Sequence, residues 1–90
     1  MHTFYDHLAP DDAIEIEHAA RLMYEVRAAR DSLLAQLGAS DAAQALASIA
    51  DGQLPEHPSY EQYLSVRILT TLHADVRTDL ADRLKDTQQQ

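Results

Sequence analysis

Seven hydrophobic residues recur at one fixed spacing of four near the end of this chain: Tyr60, Leu64, Ile68, Leu72, Val76, Leu80 and Leu84. A strand alternates every second residue, whereas a row at i, i+4, i+8 follows one side of a 3.6-residue helix, so the ladder predicts a helix. Each step of four turns ~40° beyond a full rotation, and the ladder drifts through ~240° over its length. One straight partner covers only part of such a spiral. Its first half, Tyr60 to Ile68, is expected to meet a short helix and a proline turn, and its second half, Leu72 to Leu84, the first helix and another subunit.

The two glycines, Gly38 and Gly52, each follow a helical pattern where a left-handed C-terminal residue is expected, and they divide the chain into three helices. The first is predicted over residues 12–37, with Asp12 as cap and Glu15 completing a capping box. Its apolar face holds Ile16, Ala19, Leu22, Met23, Val26, Ala29, Leu33, Leu34 and Leu37. The second, residues 40–51, is short, alanine-rich and capped by Ser40. Gly52, Pro55 and Pro58 then forbid helix continuation. The third is predicted over residues 59–86, launched by a Ser59 and Gln62 capping box. Residues 87–90 are expected to fray, and in the N-terminal segment 1–10 Phe4, Tyr5 and Leu8 are placed to fold back onto the bundle.

The fold class is therefore all-α, a long, short, long arrangement in one domain: an antiparallel hairpin of two long helices with a short middle one. Ninety residues lie near the small end of what one core stabilises. With no cysteine, disulfides and thiolate metal sites are excluded, and stability must come from helix packing. The short helix covers only part of a hairpin built from rods ~40 Å long. Leu69, Leu72, Val76, Leu80 and Leu84, facing Ile16, Ala19, Leu22 and Met23, would leave one side open, so a homodimer is expected.

Charge narrows the partners. The net charge is −8, and no basic residue stands between Arg30 and Arg67, a stretch that holds Asp31, Asp41, Asp51, Glu56 and Glu61. Such a field repels phosphate backbones, which argues against direct nucleic-acid binding and favours a basic protein partner. The apolar runs are too short to cross a membrane and the N-terminus lacks a basic region before an apolar run, so the expected location is cytoplasmic. Six arginines against one lysine, with abundant alanine, fit the coding bias of a GC-rich bacterial genome. Tyr60 and Tyr63, flanked by Pro58 and Glu61, are candidate partner anchors because tyrosine is enriched at binding hot spots.

Chemistry has fewer footholds. Glu15-Ile16-Glu17-His18 contains the Glu-x-x-His spacing of di-iron helical bundles, which makes Glu15 and His18 candidate metal ligands. Asp75, Asp79 and Asp82 approach them if the long helices run antiparallel, Asp79 being the best placed. The second Glu-x-x-His and the further glutamates of such a site are missing, and a capping role at the helix start explains Glu15 as well. No cofactor is expected, and no nucleophile is set beside a base.

Two family resemblances bear on this. Leu72-His73-Ala74-Asp75-Val76-Arg77 resembles the phospho-accepting helix of one class of histidine kinases, which implies His73 as the acceptor; the family's acidic residue after the histidine is Ala74 here. The long, short, long outline in a chain of 90 residues resembles the all-helical chorismate mutases, implying an intertwined dimer whose arginines and lysine grip a dianion. In this chain Asp31 to Val66 contains no basic residue, where that mechanism needs several. The sequence thus points to a non-catalytic interaction protein, of regulatory, inhibitor, immunity or antitoxin type. The alternative is a metal- or small-ligand-binding bundle.

Overall fold

The computed structural model describes residues 10–88, and it is all-α. The expected roles of Phe4, Tyr5 and Leu8, and of the last two glutamines, lie outside the described residues. Three helices follow in order: α1 (Pro10–Leu37), α2 (Ala42–Ala50) and α3 (Glu56–Gln88). Among the described residues no helix is long and apolar enough to cross a membrane.

The glycines end α1 and α2 as their positions predict. Gly38 has φ 65° and Gly52 φ 80°, the region that L side chains avoid. At each the chain closes with paired hydrogen bonds. Ala39 N–H donates to Leu34 O (3.0 Å) and Gly38 N–H to Ala35 O (3.1 Å); Gln53 N–H donates to Ser48 O (2.9 Å) and Gly52 N–H to Ile49 O (3.1 Å). These are Schellman closures, which satisfy carbonyls the last helical turn leaves free.

The helix starts differ from expectation. Asp12 lies inside α1 and does not cap it. At α2 the cap is Asp41 instead of Ser40: the Asp41 carboxylate accepts from Gln44 N–H at 2.8 Å, while Ser40 N–H and Oγ–H donate back to Gln44 Oε1 at 2.6 and 2.8 Å. A longer acidic acceptor one residue on has displaced the serine, which is left to hold the returning amide. In α3, His57 is extended at φ −119°, ψ 120°, so regular helix begins at Pro58, whose missing N–H would have no intrahelical partner. Ser59, expected as the cap, is one residue inside and buried. At its other end α3 continues past Asp86 to Gln88.

The long helices are antiparallel. Arg83 near the end of α3 meets Glu15 near the start of α1, and at the opposite end Gln62 Nε2–H donates to Gln36 Oε1 at 3.2 Å. Between these pairs the buried and half-buried positions repeat every seven residues. On α1 they are Ile16, Met23, Arg30 and Leu37, with Ala19, Val26 and Leu33; on α3 they are Ser59, Val66, His73 and Leu80, with Gln62, Leu69, Val76 and Arg83. A seven-residue repeat keeps one seam facing the partner helix along its length, as in a coiled coil.

α2 closes only one end of this hairpin. There Leu34, Leu37, Ala45, Tyr63 and Val66 form the core, with Leu33, Ile49 and Leu54 packed against it. Fully burying a large aliphatic side chain contributes about 1.5–3 kcal/mol, so this junction is the stability centre of the chain. Among the described residues the remainder is two helices wide, and the molecule extends 54 × 21 × 18 Å. Ile16 and Val26 are buried along that stretch, away from α2.

The ladder crosses this seam instead of lining it. Val76 and Leu80 are half-buried in the seam between the long helices, as expected of the contact with the first helix, and Leu84 is half-buried as well. The first half is not buried under α2 and the proline turn: Tyr60, Leu64 and Ile68 are exposed, Ile68 at 67%, and so is Leu72, expected with the second half against α1. The ~40° drift per step carries those four residues around the outside of α3. The surface that meets α2 is supplied by Ser59, Tyr63 and Val66.

Candidate functional site

Two places bring the sequence-predicted residues together. The first lies at the end of the hairpin away from α2, where Glu15, His18, Asp75, Asp79 and Arg83 line a depression of 400 Å³. Antiparallel packing does bring Glu15 and His18 towards Asp79. What stands between the carboxylates is a guanidinium: Arg83 Nε–H donates to Asp79 Oδ2 at 2.9 Å, and Arg83 Nη1–H donates to Glu15 Oε2. The hydrogen bond and charge of Asp79, then the charge of Glu15, hold the Arg83 guanidinium still further above its ordinary range. Both carboxylates are thus engaged by a fixed cation.

Among the described residues no group of three or more histidine, aspartate or glutamate side chains is placed to hold a metal ion. Asp82 is on another side, in a depression with Arg30, His73 and Arg77. His73 itself is half-buried at the seam and lines that depression. Arg83 carried no apolar signal in the sequence; its spacing of four from Asp79 was the available clue.

The second place is the outer side of α3. Leu64, Arg67, Ile68, Thr71, Leu72 and Asp75 line a shallow depression of 530 Å³. All six belong to one helix, so this is a ridged surface on a rigid rod, open along its length. Leu22 of α1, also exposed, extends it across the hairpin by lining the adjoining depression with Asp75 and Val76. On α3 the exposed apolar residues Tyr60, Leu64, Ile68 and Leu72, each one turn from the next, form one track; Ile14, Tyr24 and Leu46 are exposed elsewhere.

The candidate interface residues divide accordingly. Tyr60 and Leu72 are on the track, Leu69, Val76 and Leu80 are half-buried in the hairpin seam, and Leu84 is half-buried near the end of α3. Tyr63 is a correction: it is buried, packs in the junction core and cannot anchor a partner. Its ring lies 5.8 Å from that of Tyr60 at 31°, and the Arg67 guanidinium stands 6.0 Å from its centroid. Tyr63 thus fixes the neighbours that border the track. Below them His57 Nδ1 meets Glu61 Oε1 at 2.6 Å, both side chains exposed. Leu64 and Ile68, which the sequence assigned to α2, are the residues the periodicity placed on the wrong neighbour.

No protein-family model matches this chain, and no curated protein or solved structure matches it either.

Proposed function

We propose that this chain is a non-catalytic interaction protein, of regulatory, inhibitor, immunity or antitoxin type, that binds another protein through the outer track of α3. The observation that carries the reading is Ile68, 67% exposed at the centre of four apolar residues on one rigid helix. Large apolar side chains gathered on one exposed track are characteristic of binding surfaces. The engagement of Glu15 and Asp79 by Arg83 favours this reading over the metal-binding alternative.

A pull-down at low and high salt tests this, with Ile68→Asp as the control. A captured protein that rebinds in purified form, and is lost with Ile68→Asp, supports the reading. No partner at either salt, or a partner retained equally by the variant, overturns it.

Self-association is the second reading, favoured by one feature. In an antiparallel pairing centred on Ile68 the track matches itself, Leu64 against Leu72 of the second copy. Light scattering over a range of concentrations decides it: a dimer that Ile68→Asp converts to monomer would place a second copy on the track, and a strict monomer would exclude one.

A further inference from the structure

The charges on the track choose between these occupants. Glu61 and Asp75 fall on the same side of α3 as Leu64, Ile68 and Leu72, since each lies three, seven or eleven residues from them. Asp75 lines the track's depression and has no ion pair among the described residues. Arg67, the basic residue of that depression, is drawn towards Tyr63.

In the antiparallel register that matches Leu64 with Leu72 of a second copy, Glu61 stands against Asp75 of that copy, and the symmetry repeats the clash. A parallel pairing sets each carboxylate against itself. Like charges directly opposed are destabilising, and each copy adds a net charge of −8. A helix with lysine or arginine at its flanks turns both contacts favourable. The track from Tyr60 to Leu72 is ~18 Å long, enough for about three turns of a helix laid along it.

We infer that the outer track of α3 seats an amphipathic helix of a different protein, whose apolar stripe covers Ile68 and Leu72 and whose basic flanks meet Glu61 and Asp75. The inference rests on the protein-binding reading above and gives its partner a chemistry. It belongs to the mode in which an amphipathic helix is read through anchors at i, i+3 or i+4, and i+7.

The probes are two fluorescent helical peptides about three heptads long, with leucine at a and d in both, lysine at e and g in one and glutamate there in the other. Fluorescence anisotropy at moderate salt is expected to show the lysine-flanked peptide binding at least about tenfold tighter. Ile68→Asp should weaken that binding about tenfold or more, and Glu61→Gln with Asp75→Asn should narrow the gap between the peptides without changing the circular dichroism melt. Equal affinities, or lysine-peptide binding that neither variant weakens, overturn the inference, the latter showing general attraction to an acidic chain. A dimer broken by Ile68→Asp overturns it in favour of a second copy. If both peptides fail while a purified partner still binds through Ile68, the helix chemistry is wrong and the protein-binding reading survives; if the partner fails too, both fall.

Discussion

Arg83 binds Glu15 across 68 positions of sequence while keeping Asp79, one turn back on its own helix, as its second acceptor. The bridge sits at the end of the hairpin opposite the junction that α2 covers, and with the Gln36 and Gln62 pair it ties the long helices together near both ends. It is solvent-exposed, so its contribution is screened by salt. Arg83→Gln is expected to lower the melting temperature slightly at low salt and not measurably near 1 M salt. The effect should not depend on the protonation of Arg83 in neutral solution. Its folded-state pKa is raised, so while Glu15 and Asp79 are ionised the stabilisation is present below the ordinary arginine value and, on the arginine's side, is lost only in strong alkali. Thermal melts at two salt concentrations check this, and a salt-independent loss would mean that Arg83 acts through packing.

Ile68 and Val66 stand two residues apart on α3 and should behave oppositely. Val66 is 1% exposed in the junction core, whereas Ile68 is 67% exposed. Val66→Asp places a carboxylate without a partner among Leu34, Leu37 and Tyr63 and is expected to unfold the chain. Ile68→Asp should stay within about 0.5 kcal/mol of the parent protein, as surface substitutions do. Urea denaturation followed by circular dichroism separates the two. A strongly destabilised Ile68→Asp would mean that the track is already covered in the isolated protein.

What the sequence showed and what it hid follow from one physical difference. The helix ends at Gly38 and Gly52 are legible because a left-handed residue there admits few residue types. The ladder is legible as a helix because a spacing of four fits no strand. Which side of that helix is buried was not legible from apolar residues alone. The seam repeats every seven positions and accepts Ser59, Gln62, His73 and Arg83 on α3 and Arg30 on α1, whose polarity hides them from a hydrophobic reading. The ladder and the seam coincide at Val76 and Leu80 and part company towards Tyr60, where the expected contact with α2 fails. Arg83 escaped notice for the same reason, since long-range ion pairs leave no periodic trace.

Asp41 tests how far α2 depends on its own cap. Its carboxylate satisfies the Gln44 amide, one of the donors that the first helical turn leaves free. Asp41→Ala is expected to cost about 0.5–2 kcal/mol and to speed hydrogen exchange at Gln44. Ser40→Ala removes a hydroxyl contact to the Gln44 side chain but leaves the Ser40 amide bonded to it, so its cost should be smaller. Equal losses for the two variants would show that the Gln44 side chain, not Asp41, holds the start of α2.

Gly38 and Gly52 isolate backbone conformation from packing. A Cβ built at either position meets nothing within 4 Å, so substitution brings no clash, and both residues have positive φ. The cost of Gly38→Ala or Gly52→Ala is therefore the left-handed penalty of an L residue, about 1–2 kcal/mol each. Asparagine, which tolerates that region better, should lose less at both sites. Urea denaturation is expected to show a lower midpoint at an unchanged slope, because the closures at Leu34 and Ser48 survive and the folded surface stays the same. Gly38→Ala bears directly on the junction, since Ala39 just beyond it packs against the core. A loss well beyond the left-handed penalty there, with a changed slope, would mean that the substitution shifts how α1 meets α2 in addition to straining one residue.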